Sequence, residues 1–433
     1  MKNPEPDVPT TGQVAGLILF ISLISFQYLR LLGNFVGFLW YRPIPIPNRP
    51  VVTRRDCTVI IPIINANSFF LQKTIRSILR NYPRTIILVT IGTRRRDRLR
   101  ARVDSLRFDF PNTEVHIGAV PVANKRLQIA RAIPRVRTGI TILADDRVVW
   151  PCSFLSEALA PFDDTKVGGV GTNKCIRRNV ADSKWVSFLE SCQSMYLENL
   201  NYEIRGTYAI DGSVQVLGGE TVLLRTETVQ THDFLEAFKN ESFLFKWSGP
   251  FSSGDDSFIT QWLLRHGWHI AIQSLSDACV ELPPRPFSQF LDHIHRRERS
   301  LLRSSIDTLF HPTKMWMRHL WGAYAIHLWG IVHFSIVFDI GIVVSFALTG
   351  YGFKSPLFVG APVTAVLLAK LVELLPVLIQ YPSDILFLPG LLIFGYILDF
   401  FKLKALLTIC KKQWGKHPVA DLEEGAQDQL GWI

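Results

Sequence analysis

The sequence predicts an α/β domain built on a mostly parallel sheet and joined to helices that cross a membrane or lie on its surface. Short β-type runs alternate with helical stretches from residue 57 to about residue 274, and long apolar runs flank that region on both sides. Only 19% of the 433 residues are charged, against 48% hydrophobic. Soluble chains carry about a quarter charged residues, so part of this one avoids water. The length accommodates one soluble domain of roughly 250 residues together with several spans. A formal net charge of +10 would suggest nucleic acid in a soluble protein. Basic residues also crowd the cytosolic flanks of spans, where they set orientation, and that reading fits this composition better. Cys57, Cys152, Cys175, Cys192, Cys279 and Cys410 are scattered, with no CxxC pair and no His partners at zinc spacing. That is the usage of a reduced cytosolic domain, not of a disulfide framework or a zinc site.

Residues 1–11 form a short tail and 12–41 a transmembrane helix. Residues 12–29 carry no charge, and after Arg30 the apolar run resumes to Tyr41. About 20 apolar residues span a bilayer, so this is one long tilted helix in which Arg30 snorkels or faces protein. The run is too long for a signal peptide, and no small-residue cleavage site follows it. Lys2, Glu5 and Asp7 precede it, whereas Arg42, Arg49, Arg54 and Arg55 follow; the excess of positive charge places the chain beyond residue 41 in the cytosol. Residues 42–56 contain YRPIPIPNRP, a proline-rich linker held extended.

The α/β domain occupies 57–283. TVIIPII (58–64) reads as a strand, SFFLQKTIRSILRN (68–81) as an amphipathic helix, and TIILVTIG, EVHIGAV, GITILA and VGGVG as further strands with helices between them. Such alternation predicts a mostly parallel sheet covered on both faces, with ligands at the carboxyl ends of its strands. The basic run TRRRDRLRAR (93–102) reads as a solvated helical face or one touching anionic lipid, not as a nucleic-acid site.

Residues 284–315, including RPFSQFLDHIHRRERSLLRSSIDTLF, suit amphipathic helices lying on the membrane surface. Residues 316–410 form a C-terminal transmembrane region with apolar blocks at 320–338, 355–369 and 385–398. Three simple spans would leave the tail, 411–433, outside, yet Lys402, Lys404, Lys411, Lys412 and Lys416 argue for a cytosolic tail. One block is therefore expected to be a hairpin or a re-entrant segment. Lys370 and Glu373 are neighbours at i, i+3 and read either as an internal ion pair or as lining for the path of a polar chain. Trp316, Trp321, Tyr324 and Trp329 read as interfacial belt or core.

The chemistry gathers on two acidic pairs. The strand GITILA ends in Asp145-Asp146, followed by Arg147 and Trp150-Pro151. Carboxylates at the end of a sheet strand can hold Mg²⁺ or Mn²⁺, which neutralises a diphosphate; the plainer alternative is a solvated acidic turn. Asp255-Asp256, in FSSGDDSFITQWLLRHGW, opens a helix, where N-capping competes as an explanation. Capping needs one Asp, whereas two can serve as a base and its supporter, taking a proton from a hydroxyl. Gly254 before them would let an acceptor come close. Between the pairs, VQVLGGETVLLR (214–225) reads as a strand interrupted at Gly218-Gly219, a place for close ligand approach or a bulge.

The order of ANKR (123–126), ADDRVVWP (144–151), LGGET (217–221), SGDDSFITQWLLRHGW (253–268) and RRERS (296–300) resembles the membrane-bound family 2 glycosyltransferases. It is most similar to hyaluronan synthase and fungal capsule-type polysaccharide synthases. The resemblance covers roughly residues 57–416, including KKQWGKH (411–417), which is similar to the Trp-Gly basic motif that closes that core. It implies a GT-A-type, Rossmann-like cytosolic domain that transfers sugar from a UDP-sugar with Mn²⁺ or Mg²⁺.

By motif position, the resemblance implies that Asp146 is the metal-binding Asp of the DxD motif and that Lys125 contacts the nucleotide diphosphate. Asp256 falls on the catalytic base and Asp255 on its neighbouring acid. Gly218, Gly219, Glu220 and Thr221 occupy the stretch that meets the acceptor. Arg296 and Arg299 fall on the first and fourth positions of QxxRW, which closes over the nucleotide. Departures are Ala144 at the first Asp of DxD, for which Asp145 compensates, Ser300 for the tryptophan and Arg296 for the glutamine. The acid that reads uracil is missing from ILVTIG.

What the resemblance implies is an inverting, processive polysaccharide synthase, with a nucleotide sugar, a growing cell-wall or capsule-type glycan and the bilayer as partners, and no nucleic acid. It would reside in the plasma membrane, or in endoplasmic reticulum or Golgi. The alternative is transfer of one sugar to a lipid, ceramide or polyprenyl phosphate. A transporter with a regulatory domain would need paired charges in several spans, where the sequence offers Lys370 and Glu373.

Overall fold

The computed structural model describes residues 10–178, 183–241, 254–310, 318–350, 356–410 and Trp432. Trp316 and the KKQWGKH stretch lie outside the described residues. The β-type runs form β1 (Cys57–Pro62), β2 (Thr85–Ile91), β3 (Glu114–Val120), β4 (Ile140–Ala144), β5 (Val167–Thr172), β6 (Lys174–Ile176), β7 (Thr221–Arg225), β8 (His269–Gln273) and β9 (Val280–Leu282). Seven of them make one sheet in the order β3-β2-β1-β4-β7-β5-β8, in which only β7 is antiparallel to its neighbours, and β6 pairs with β9 in a small second sheet. Strands β1, β2 and β4 are buried nearly throughout, as expected where both faces are covered.

Helices α1 (Thr11–Trp40), α2 (Phe69–Leu79), α3 (Thr93–Asp109), α4 (Lys125–Ala132) and α5 (Phe154–Ala158) are followed by α6 (Lys184–Asp211), α7 (Thr226–Val229), α8 (His232–Lys239), α9 (Asp255–Arg265) and α10 (Phe287–Phe310). Leu71, Ile75 and Ile78 of α2 and Leu99 and Val103 of α3 pack on one face of the sheet, while Ile129 of α4, Phe234 and Phe238 of α8 and Leu263 of α9 cover the other. The sequence places a strand across 214–225, but only Thr221–Arg225 forms one. Gly218 has φ of 111°, a backbone that breaks the ladder where β7 enters between β4 and β5.

The described helices that are long and apolar enough to cross a membrane are Thr11–Trp40, Gly360–Gln380 and Pro382–Leu407. They lie in α1, α13 (Pro356–Gln380) and the stretch ending in α14 (Leu388–Leu407). Helix α11 (Leu320–Val332) meets α12 (Ser335–Leu348) at a bend of 89° and would add one crossing if the two count together. The block expected at 320–338 is thus broken, at His333 and Phe334, and its apolar run continues to Leu348. Leu17, Ile18, Leu29 and Leu32 point outward from α1, the surface a bilayer would cover. On its inner side α1 crosses α6 so closely that a Cβ on Gly37 would stand 2.2 Å from the carbonyl oxygen of Gly206.

Arg30 faces protein: its Nη2 lies 2.6 Å from Glu203 Oε1 of α6, and its guanidinium stacks 4.4 Å from the Trp329 ring. Charges are also shared more widely than the sequence suggests. Lys370 reaches both Glu373 (3.6 Å) and Asp339 of α12 (3.8 Å), and Lys402 of α14 donates to the His333 carbonyl. Sequence spacing exposes only the local pair, because the other partners are far apart in the chain.

Candidate functional site

Local rules set the site residues at one end of the sheet. Asn124 caps α4, accepting hydrogen bonds from the Arg126 and Leu127 amides (3.0 and 3.3 Å), so Lys125 opens the helix with its side chain free to extend over the strand ends. Strand β4 stops at Ala144, which pairs with Thr221 of β7. The Asp145 amide then donates to the Glu220 carbonyl (2.8 Å), bringing the first acidic pair against the LGGET stretch. Helix α9 begins after Gly254, whose φ of 80° makes it the N-cap, with no side-chain cap bond. Asp255 and Asp256 therefore sit in the first turn and do not cap it; Asp256 Oδ1 accepts from the Ser257 amide (2.9 Å).

These elements enclose a cavity of about 220 Å³ lined by Lys125, Asp145, Asp146, Gly219, Glu220, Asp255, Asp256 and Arg296. Lys125 ties the two acidic pairs together, with Nζ 2.8 Å from Asp145 Oδ1 and 3.0 Å from Asp255 Oδ2. Burial opposes its charge, but the two carboxylates outweigh that and hold its pKa well above the ordinary value. Burial raises Asp145. Burial and then the adjacent Asp145 push Asp146 up to about 6. Burial and then Asp255 also raise Asp256.

Glu220 behaves oppositely. Burial would raise its pKa, yet Lys174 (Nζ to Oε2 2.5 Å), followed by Arg297 and His293, brings it well below the carboxylate range. It is a fixed negative charge in the cavity wall.

Two glycines explain close approaches. A Cβ on Gly219 would lie 2.8 Å from Asp256 Oδ2, so this glycine makes room for the carboxylate. A Cβ on Gly254 would lie 2.4 Å from Ser300 Oγ. Gly254 lines the cavity beside Asp255 and Asp256, while the space a Cβ there would take is filled by α10; the small side chain at position 300 lets α10 close on α9, with Ser257 and Ser300 hydroxyls 3.2 Å apart.

Of the residues expected from sequence, Gly218 and Thr221 stand behind the cavity. Thr221 Oγ1 accepts from Trp150 Nε1 (3.2 Å). Arg299 is buried and does not line the cavity, because α10 turns His293, Arg296, Arg297 and Ser300 toward it instead. Sequence reasoning missed Arg285, His293 and Arg297, together with Lys174 behind Glu220. The RRERS spacing alone carries a signal for Arg297, at i+4 from His293.

Asp146 is the acidic residue of the site that could hold a metal ion. It is partly buried and lines the cavity, and among the described residues its carboxylate meets no donor; only its backbone carbonyl is bonded, by Thr74 (3.2 Å). Mg²⁺ and Mn²⁺ sites of this kind use one or two carboxylates and complete the shell with substrate phosphates and water. Among the described residues no group of three or more His, Cys, Asp or Glu side chains could hold a metal ion.

The cavity does not end at the sheet. Through Arg297 and Leu301 it adjoins a second, bounded by Arg30, Glu203, Glu298 and Lys402. Arg30, Glu203, Trp329 and Lys402 also border a third, which reaches Lys370, Glu373 and Asp399 among the apolar helices.

A sequence model described as "Glycosyltransferase like family 2" matches residues 54–300. A protein named "Type 2 glycosyltransferase" from Gibberella zeae is 34% identical over 417 residues, covering 94% of this chain and 77% of the relative. One of the same name from Pyricularia oryzae is 31% identical, with 94% and 83% covered. An "NDP-glycosyltransferase ltbB" of Aspergillus luteorubrus is 26% identical, with 55% and 58% covered. Among solved structures, the mannosyltransferase PcManGT from Pyrobaculum calidifontis, in complex with GDP-Man and Mn²⁺, aligns with 94% of this chain and 100% of its own at a TM-score of 0.57 and 14% identity. That likeness shows the fold, a GT-A-type Rossmann-like sheet.

Proposed function

Because this chain belongs to the family 2-like glycosyltransferases, we propose that it is a membrane-integrated, inverting and processive polysaccharide synthase. The donor is a nucleotide sugar, taken to be a UDP-sugar, with Mn²⁺ or Mg²⁺; the acceptor is a growing glycan. The observation that carries this reading is the cavity itself. Two acidic pairs converge on it around Lys125, and it shares Arg297 and Leu301 with the first of two polar cavities bordered by the apolar helices. A sugar hydroxyl leaving the site as part of a chain would find charged and hydrogen-bonding groups along that way, which a purely apolar bundle would not offer. The order of motifs that resembles hyaluronan synthase points the same way.

In this mechanism the acceptor hydroxyl approaches Asp256 across Gly219, and Asp256 accepts its proton as the oxygen attacks the anomeric carbon. Asp255 adds negative charge beside it, and Lys125 holds Asp255 and Asp145 in place. Asp146 and Asp145 are the groups that would hold the metal, which when bound neutralises charge on the donor diphosphate. A single in-line displacement inverts the anomeric centre. The basic flank at 42–55 orients the catalytic domain to the cytosol, in the plasma membrane or in endoplasmic reticulum or Golgi.

Purified protein given a panel of nucleotide sugars, with the products sized, tests the reading. A ladder of polymer supports it. A single sugar on ceramide or on polyprenyl phosphate would replace processive synthesis with lipid glycosylation.

A further inference from the structure

Among the described residues, four arginines line the cavity with no carboxylate within ion-pair distance: Arg297, which Glu220 and Asp256 attract, and three others. Arg147 follows Asp146 at the end of β4, Arg285 precedes α10, and Arg296 stands on the cavity face of α10. All three are partly buried. Among the described residues no carboxylate lies within ion-pair distance of any of them, whereas Lys125 and Lys174 are each matched at 3.0 Å or less. Arg285 stands close enough to Arg296 to repel it: after burial it is what most depresses the Arg296 pKa. Three guanidiniums drawn together out of bulk water are unfavourable unless an anion meets them. The planar fork of arginine matches phosphate oxygens in pairs.

The charges in the cavity are also divided. Asp145 and Asp255 gather round Lys125, with Asp256 beside them, while Arg147 and Arg285 flank Asp146. Lys125, the residue the motif order assigns to the diphosphate, is already engaged by two carboxylates. Arg299, the motif's arginine, does not line the cavity.

We infer that Arg147, Arg285 and Arg296 form the clamp that binds the donor's diphosphate and holds the nucleoside diphosphate as it leaves. The inference rests on the nucleotide-sugar reading above. In the transfer, the bond from the anomeric carbon to the β-phosphate oxygen breaks and its electron pair stays on that oxygen. The acceptor oxygen forms the new bond, and its proton goes to Asp256. The charge that develops on the departing phosphate falls beside the three arginines.

The test is titration of the full-length protein in detergent with UDP, GDP, inorganic pyrophosphate, uridine and guanosine. Arg285→Ala and Arg296→Ala should each weaken the tightest-binding diphosphate by about tenfold or more and leave the nucleosides unchanged. Arg285→Lys, which keeps the charge without the fork, should fall between, and melting curves report folding in each case. Variants that melt like wild type and bind UDP, GDP and pyrophosphate with wild-type affinity would overturn the assignment while leaving the enzyme's donor class intact. Wild-type protein that binds none of the three diphosphates would overturn the nucleotide-sugar reading, and the clamp with it.

Discussion

Gly219→Ala separates the position of the proposed base from its presence. The added methyl would stand 2.8 Å from Asp256 Oδ2 and 3.6 Å from its carboxyl carbon. Ordinary contact begins near about 3.4 Å, so the oxygen must retreat by roughly 0.6 Å. Gly219 is not among the glycines with positive φ, so its backbone accepts alanine, and swinging one carboxylate costs the fold about 1 kcal/mol. Catalysis is less forgiving: a misplacement of about 1 Å costs about a hundredfold, so roughly 0.6 Å should cost roughly ten- to fiftyfold in kcat. The assay is initial rate at saturating donor, with nucleotide affinity and melting temperature measured alongside. Gly218→Ala is the contrast, because φ of 111° makes it a strained site whose cost, about 1–3 kcal/mol, falls on stability. Wild-type kcat in Gly219→Ala would refute the idea that Asp256 must stand where it does.

Transfer should require Mn²⁺ or Mg²⁺, and Asp146→Ala should nearly abolish it; full activity in excess chelator would remove the metal from the account. Burial and Asp255 raise the pKa of Asp256, and a base works only when ionised. The kcat profile should therefore fall as pH drops through a value above the usual carboxylate range of about 4, and Asp255→Asn should move that limb to lower pH. A limb that stays in place would show that the pair is not coupled to the reaction. Ser300→Trp, which restores the motif's aromatic ring, should lower the melting temperature by the equivalent of about 1–3 kcal/mol, since Gly254 and Ser257 already occupy the space; an unchanged melting curve would contradict the packing at that helix crossing.

Much of the sheet was legible because the β runs are short, apolar and bounded by turns, and buried parallel strands read that way. The interruption at Gly218-Gly219 and the strand after it are legible in the sequence; that 214–217 forms no strand is not, because those residues are as apolar as one. The acidic pairs could be found from their places at a strand end and a helix start. Their connection through Lys125 could not, because the three lie on β4, α4 and α9, and no periodicity links them. Arg299 was chosen by motif position, yet helical phase puts Arg296, Arg297 and Ser300 on the cavity side. Arg285 sits in a loop with no pattern at all. The ion pair of Arg30 with Glu203 and the bend at His333 likewise arise from contacts between distant parts of the chain.

Asp256→Asn tests the central claim most directly. The substitution keeps the shape of the side chain, its amide oxygen can still accept from the Ser257 amide, and the N-cap of α9 remains Gly254. The proposed mechanism predicts a variant that melts like wild type, binds nucleotide with near-normal affinity, and transfers sugar about a hundred- to ten-thousand-fold more slowly. Transfer at a rate near wild type, from protein equally folded and equally loaded with donor, would contradict the assignment of Asp256 as the base.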